Sequence, residues 1–132
     1  MLNRIEHVAL AVADLDAAVA HYSGIWGLEV SHRERVADQG VEEVMLALGD
    51  SHLQLLGAIE PDTTVGRFLE RRGEGLHHIA YEVDDLRATL ASLEEKGIEL
   101  IDEEPRPGGR GHMVAFVNPK SNHGLLVELI QR

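Results

Sequence analysis

"RIEHVALAVADLDAAVAHY" (residues 4–22) and "GLHHIAYEVDDLRATLASL" (residues 75–93) are one pattern written twice. His7 falls on His78, Val12 on Val83, Asp14 on Asp85 and Leu15 on Leu86, each pair 71 positions apart. The correspondence continues downstream. "GLEV" (27–30) matches "GIEL" (97–100), "EVMLALGD" (43–50) resembles "HMVAFVNP" (112–119), and "LQLLG" (53–57) resembles "VELIQ" (127–131). Self-similarity at this spacing signals two copies of one supersecondary unit.

Each copy has the same local grammar. An alternating run (5–12; 76–83) predicts a strand, and Asp14 and Asp85 stand where a helix N-cap belongs. Leu15, Ala18, Val19 and Tyr22 then recur at helical spacing, as do Leu86, Leu90 and Leu93. Gly24 or Gly27 closes the first helix and Gly97 the second. Three further strands are expected in each copy, over 28–36, 41–48 and 51–57, then 98–104, 112–118 and 125–131. The class is therefore α+β, with two tandem βαβββ modules at about 1–57 and about 76–132. The connector, about 58–75, places Val65, Phe68 and Leu69 on one helical face and predicts a short extra helix. All 132 residues are expected to form a single domain.

Bulk properties narrow the function. The formal net charge is −11, from 12 basic and 23 acidic residues, which argues against a nucleic-acid partner. No stretch approaches membrane-spanning length and "MLNRIEHVAL" lacks the apolar run of a secretion signal, so a cytoplasmic protein with no membrane partner is expected. Cysteine is absent, which removes thiolate nucleophiles and thiolate metal ligands. Arg106, Arg110 and Lys120 make one locally basic segment in an otherwise acidic chain.

Parity separates the adjacent histidines at 77 and 78, because neighbouring strand residues point to opposite faces. Val8, Leu10 and Val12 form a bulky face suited to packing beneath a helix, as do Ile79, Tyr81 and Val83. The other face carries His7, Ala9 and Ala11 in one copy and His78, Ala80 and Glu82 in the other. Small residues beside a histidine are what a cavity wall requires. His78 is thus the counterpart of His7, and His77 is a bystander. Gln54 and Glu128 occupy matching places amid apolar neighbours in the last strand of each copy, where burial without a partner is costly. Any one of these four side chains, taken alone, reads as an ordinary hydrogen-bonded strand residue. As a symmetric set, His7, Gln54, His78 and Glu128 supply two nitrogen and two oxygen ligands for a divalent metal with coordination positions left open. Co, Mn, Ni, Zn and Fe(II) all suit such a set.

The doubled βαβββ pattern with this His–Gln/His–Glu set resembles the vicinal oxygen chelate superfamily. Within it, "IEHVALAV", "DQGVEEVML", "LQLL", "GEGLHHIAYEVDD", "LIDEEPRPG" and "NPKSNHGLLVEL" are similar to the methylmalonyl-CoA epimerase family over essentially the whole chain. That resemblance implies a curved mixed sheet around a metal cleft, one divalent ion per chain with cobalt first among candidates, an acyl-CoA thioester substrate and a homodimer. It carries the metal ligands to His7, Gln54, His78 and Glu128, and an acid/base glutamate to Glu43. The implied reaction is epimerisation at C2 of methylmalonyl-CoA through a metal-stabilised enolate. Inversion needs acid/base groups on both faces of the enolate, so Glu128 joins Glu43 as a catalytic candidate. Lys120 or Ser121, in "NPKSNHG", are candidates for holding the substrate carboxylate. Two alternatives stand beside this reading: a glyoxalase I-type lactoylglutathione lyase, and a non-catalytic small-molecule-binding protein on the same scaffold.

Overall fold

A computed structural model describes residues 1–132. The chain forms two compact units, His7–His77 and a second made of Met1–Glu6 with His78–Arg132.

In the first unit, strand β1 (Arg4–Ala11) contributes its residues from His7 onward, followed by α1 (Leu15–Gly24), β2 (Val30–Val36), β3 (Val41–Leu48), β4 (Ser51–Ala58) and α2 (Thr64–Arg72). The strands lie in the order β2-β3-β4-β1. β1 runs parallel to β4 with Ala9 opposite Gln54, and β3 runs antiparallel to β4 with Met45 opposite Gln54. Asp14 caps α1, its carboxylate accepting the Ala17 N–H at 3.0 Å. Strand alternation then sorts the side chains. Leu10, Val12, Val44, Leu46 and Leu55 pack under Leu15, Ala18, Val19 and Tyr22 of α1. The opposite face presents Ala9, Ala11, Val41 and Leu56 to Val65, Phe68 and Leu69 of α2. The connector helix therefore occupies the space that Ala9 and Ala11 leave; both are wholly buried. Their smallness serves close helix packing, and the expected cavity wall does not extend along them.

The second unit repeats the plan with β5 (Gly75–Glu82, from His78 onward), α3 (Leu86–Glu95), β6 (Arg106–Pro107), β7 (Met113–Val117) and β8 (Val127–Gln131), ordered β5-β8-β7-β6. β5 runs parallel to β8, placing Ala80 opposite Glu128, and β7 runs antiparallel to β8, placing Phe116 opposite Glu128. Asp85 caps α3 through the Ala88 N–H at 3.1 Å. Leu86 and Leu90 cover Val83, Ala115, Val117, Val127 and Leu129. The strand expected at 98–104 is the one departure. Leu100 makes a lone bridge to Val117, and the Phe116 carbonyl accepts both the Ile101 and Asp102 N–H groups. The Asp102 carboxylate takes the Phe116 N–H at 2.9 Å, so a side chain replaces the next backbone rung. Pro105 and Pro107 lack the N–H that a ladder needs, and regular pairing is limited to Arg106 and Pro107 opposite Val114 and Met113.

Candidate active site

The face of the first unit opposite α1 collects His7, Glu43 and Gln54, all buried. β1 supplies His7, β3 Glu43 and β4 Gln54, and alternation aims all three the same way. Gln54 Nε2 donates a short hydrogen bond to Glu43 Oε2. Its other polar atom, Oε1, is buried with no hydrogen-bond partner. A buried amide oxygen in that state costs free energy unless something electropositive meets it. β2 adds His32 and Glu34 on the same face, since Glu34 lies directly opposite Glu43 and His32 opposite Met45. His32 Nε2 is 2.7 Å from Glu34 Oε1, and the donor atoms of His32, Glu34 and Glu43 all lie within 4.8 Å of one another. The sequence reading missed His32 and Glu34. Their signal was the alternation in "HRERV", whose even positions share Glu43's face once the hairpin register is known.

On the corresponding face of the second unit, His78 Nε2 lies 3.2 Å from Glu128 Oε1, both buried. Phe116 and the His78 ring pack in a T-shaped pair, centroids 5.5 Å apart, and the Arg106 guanidinium sits over the Phe116 ring at 5.4 Å from its centroid. This stack fixes the imidazole orientation by packing. His77 packs against Phe68 of α2, ring centroids 4.8 Å apart.

A buried ion pair lies outside the expected set. Glu6, 0% exposed, accepts two hydrogen bonds from the Arg110 guanidinium, at 2.6 and 3.3 Å. Arg132 adds a contact at 3.6 Å. Arg110 holds a left-handed backbone, φ +57, to reach that geometry. Nearby His112 is lowered from the ordinary imidazole value, first by burial and then by the charges of Arg110 and Arg132. Lys120 and Ser121 occupy a tight turn at Pro119–Ser121. Ser121 Oγ accepts the Glu99 N–H at 2.9 Å, which leaves its own O–H to donate.

Comparison with known proteins follows the same lines. The family description "Glyoxalase/Bleomycin resistance protein/Dioxygenase superfamily" matches residues 6–116. An ethylmalonyl-CoA/methylmalonyl-CoA epimerase of Cereibacter sphaeroides is 38% identical, with 99% of each chain covered. Human mitochondrial methylmalonyl-CoA epimerase is 39% identical over 98% of this chain and 74% of its own. A solved methylmalonyl-CoA epimerase in complex with methylmalonyl-CoA superposes with a TM-score of 0.94 at 42% identity, covering 99% of this chain and 95% of that one. No helix is long and apolar enough to cross a membrane. With its paired modules and full-length kinship to isomerases, the chain belongs to the glyoxalase/bleomycin resistance/dioxygenase superfamily and, within it, to the methylmalonyl-CoA epimerase family.

Proposed function

We propose that this protein interconverts the (2R) and (2S) epimers of methylmalonyl-CoA by removing the C2 proton and returning one to the opposite face. The observation that carries the reading is the Gln54–Glu43 pair. One buried glutamine gives its amide N–H to a buried carboxylate and keeps an unpartnered oxygen beside it. A carboxylate held this way is oriented to accept a proton, and the spare amide oxygen is a ready cation ligand.

The donor chemistry fits a divalent ion. His7, Gln54, His78 and Glu128 offer two imidazole nitrogens, an amide oxygen and a carboxylate oxygen, all buried and on matching faces of the two repeats. No thiolate is present, and such a set is compatible with Co, Mn, Ni, Zn or Fe, Co standing first on the family resemblance alone. Such an ion supplies Lewis-acid stabilisation of the negative charge that develops on the substrate oxygens as C2 loses its proton.

The remaining work falls to the side chains. Glu43, ionised, takes the C2 proton from one face; Glu128, protonated at the outset, delivers one to the other, and the roles reverse in the back reaction. Lys120 or the Ser121 O–H meets the substrate carboxylate. The whole chain acts as one domain in the cytoplasm, and as a homodimer, the last of these resting on the family resemblance.

Incubating one epimer with metal-loaded protein in D₂O tests the assignment. Inversion accompanied by deuterium uptake at C2 is expected. Turnover of a glutathione hemithioacetal without epimerisation would transfer the protein to the glyoxalase branch of the family, and no turnover of either substrate would leave only a binding role.

A further inference from the structure

Two-base epimerisation leaves its catalysts in exchanged protonation states. After one turnover Glu43 carries the proton taken from C2 and Glu128 has given one up. A second molecule can react in the same direction only when Glu43 has released that proton to water. Glu43 is 3% exposed, so it needs a route.

β2 provides one. Glu34 faces Glu43 across the antiparallel ladder, and facing residues project from the same side of a sheet. Their donor atoms, with those of His32, fall within 4.8 Å, a gap that one water molecule spans. His32 Nε2 closes on Glu34 at 2.7 Å, and both side chains are 34% exposed. The three groups thus grade from buried to wet on a single face. Placing two carboxylates opposite each other on a ladder costs stability, so the pairing is not explained by the needs of the sheet. Nor does the module require it. The second repeat builds its equivalent hairpin with only Arg106 and Pro107 and carries no such couple.

We propose that Glu34 and His32 conduct protons between Glu43 and solvent, resetting Glu43 between turnovers; the inference rests on the acid/base role assigned to Glu43 above. In the outward direction the O–H bond of Glu43 breaks and one forms on Glu34. The Glu34 Oε1–H already bonded to His32 Nε2 moves onto Nε2 as the Nδ1–H yields its proton to water, so the relay starts from neutral Glu34 and the Nδ1–H tautomer of His32. One proton leaves Glu43, one enters solvent, and Glu34 and His32 end in their starting charge states with the imidazole tautomer exchanged, which ring rotation or water restores. Neither residue touches substrate; both act through Glu43.

Steady-state epimerisation from one pure epimer, with cobalt-loaded wild type, Glu34→Gln and His32→Gln, tests this. Resetting follows product release, so it enters kcat and not kcat/KM. Both variants are expected to lose about tenfold in kcat with kcat/KM nearly unchanged. Imidazole buffer, a mobile proton carrier, is expected to restore kcat. An active wild type with unchanged kcat in both variants overturns the relay and leaves the assigned reaction standing. Parallel loss of kcat and kcat/KM without buffer rescue assigns the couple a structural role and also overturns it. An inactive wild type removes the assigned reaction, and the relay falls with it.

Discussion

Glu43 and Gln54 illustrate how much of a residue's behaviour depends on one neighbour. Strand parity alone puts Glu43 on the face of Met45 and Ala47, yet what distinguishes it from half-buried Glu42 is the amide of Gln54. Glu42 instead pairs with Arg33 at 2.9 Å at the surface. Replacing Glu43 by Gln is therefore expected to lower epimerisation about 10²–10⁴-fold, as loss of a general base does. Metal uptake, measured by elemental analysis of the purified variant, is expected to stay intact. Full activity in that variant would take Glu43 out of the reaction. His112 gives a second test at this scale. Burial, aided by Arg110 and Arg132 and opposed by Glu6 and Glu82, lowers its proton affinity in the folded state. Unfolded chains bind that proton near the ordinary value of 6.5, and the folded protein does so only at lower pH. Stability is accordingly complete above that value and declines as pH falls below it. The melting temperature should drop on acidification from about pH 7 to about pH 5.5, and His112→Asn should flatten the slope in that window.

Among the elements, those governed by local rules were readable in advance. Asp14 and Asp85 cap their helices as the spacing requires, because an N-cap needs only its own side chain and the N–H three residues on. The connector helix follows from Val65, Phe68 and Leu69 for the same reason. β6 was not readable. The alternation at 98–104 is adequate for a strand, but Asp102 substitutes for a backbone rung and two prolines withhold donors, and those effects appear only once β7 lies alongside. The loop that follows is tied down by Arg110, whose guanidinium neutralises a carboxylate with no access to water. Removing one member of a buried pair strands the other. Arg110→Met is expected to destabilise the fold by about 3–5 kcal/mol in urea denaturation, whereas a loss under about 0.5 kcal/mol would mean that Arg132 alone satisfies Glu6.

For the molecule as a whole, ligand binding and folding are one linked equilibrium. If four buried donors take up a cation in the native state and not in the unfolded chain, the cation stabilises by mass action, about 2.7 kcal/mol at a hundredfold excess over its dissociation constant. Adding Co or Mn to chelator-treated protein should raise the melting temperature, and His78→Ala should abolish most of the rise. An unchanged melting curve would contradict the metal assignment. The sequence by itself determined the duplication, the α+β class, the capped helices, and the faces on which His7, Gln54, His78 and Glu128 lie. The duplication is read from a repeat 71 positions long, and the rest follows from periodicity and spacing within a few residues. Tertiary structure decided which of those side chains meet. It set His78 against Glu128, gave the Gln54 amide to Glu43, drew Arg110 to Glu6, and brought His32 and Glu34 up to Glu43. These contacts depend on strand order and pairing register, which are fixed by hydrogen-bonded ladders and burial across segments far apart in the chain, so no spacing along the chain encodes them.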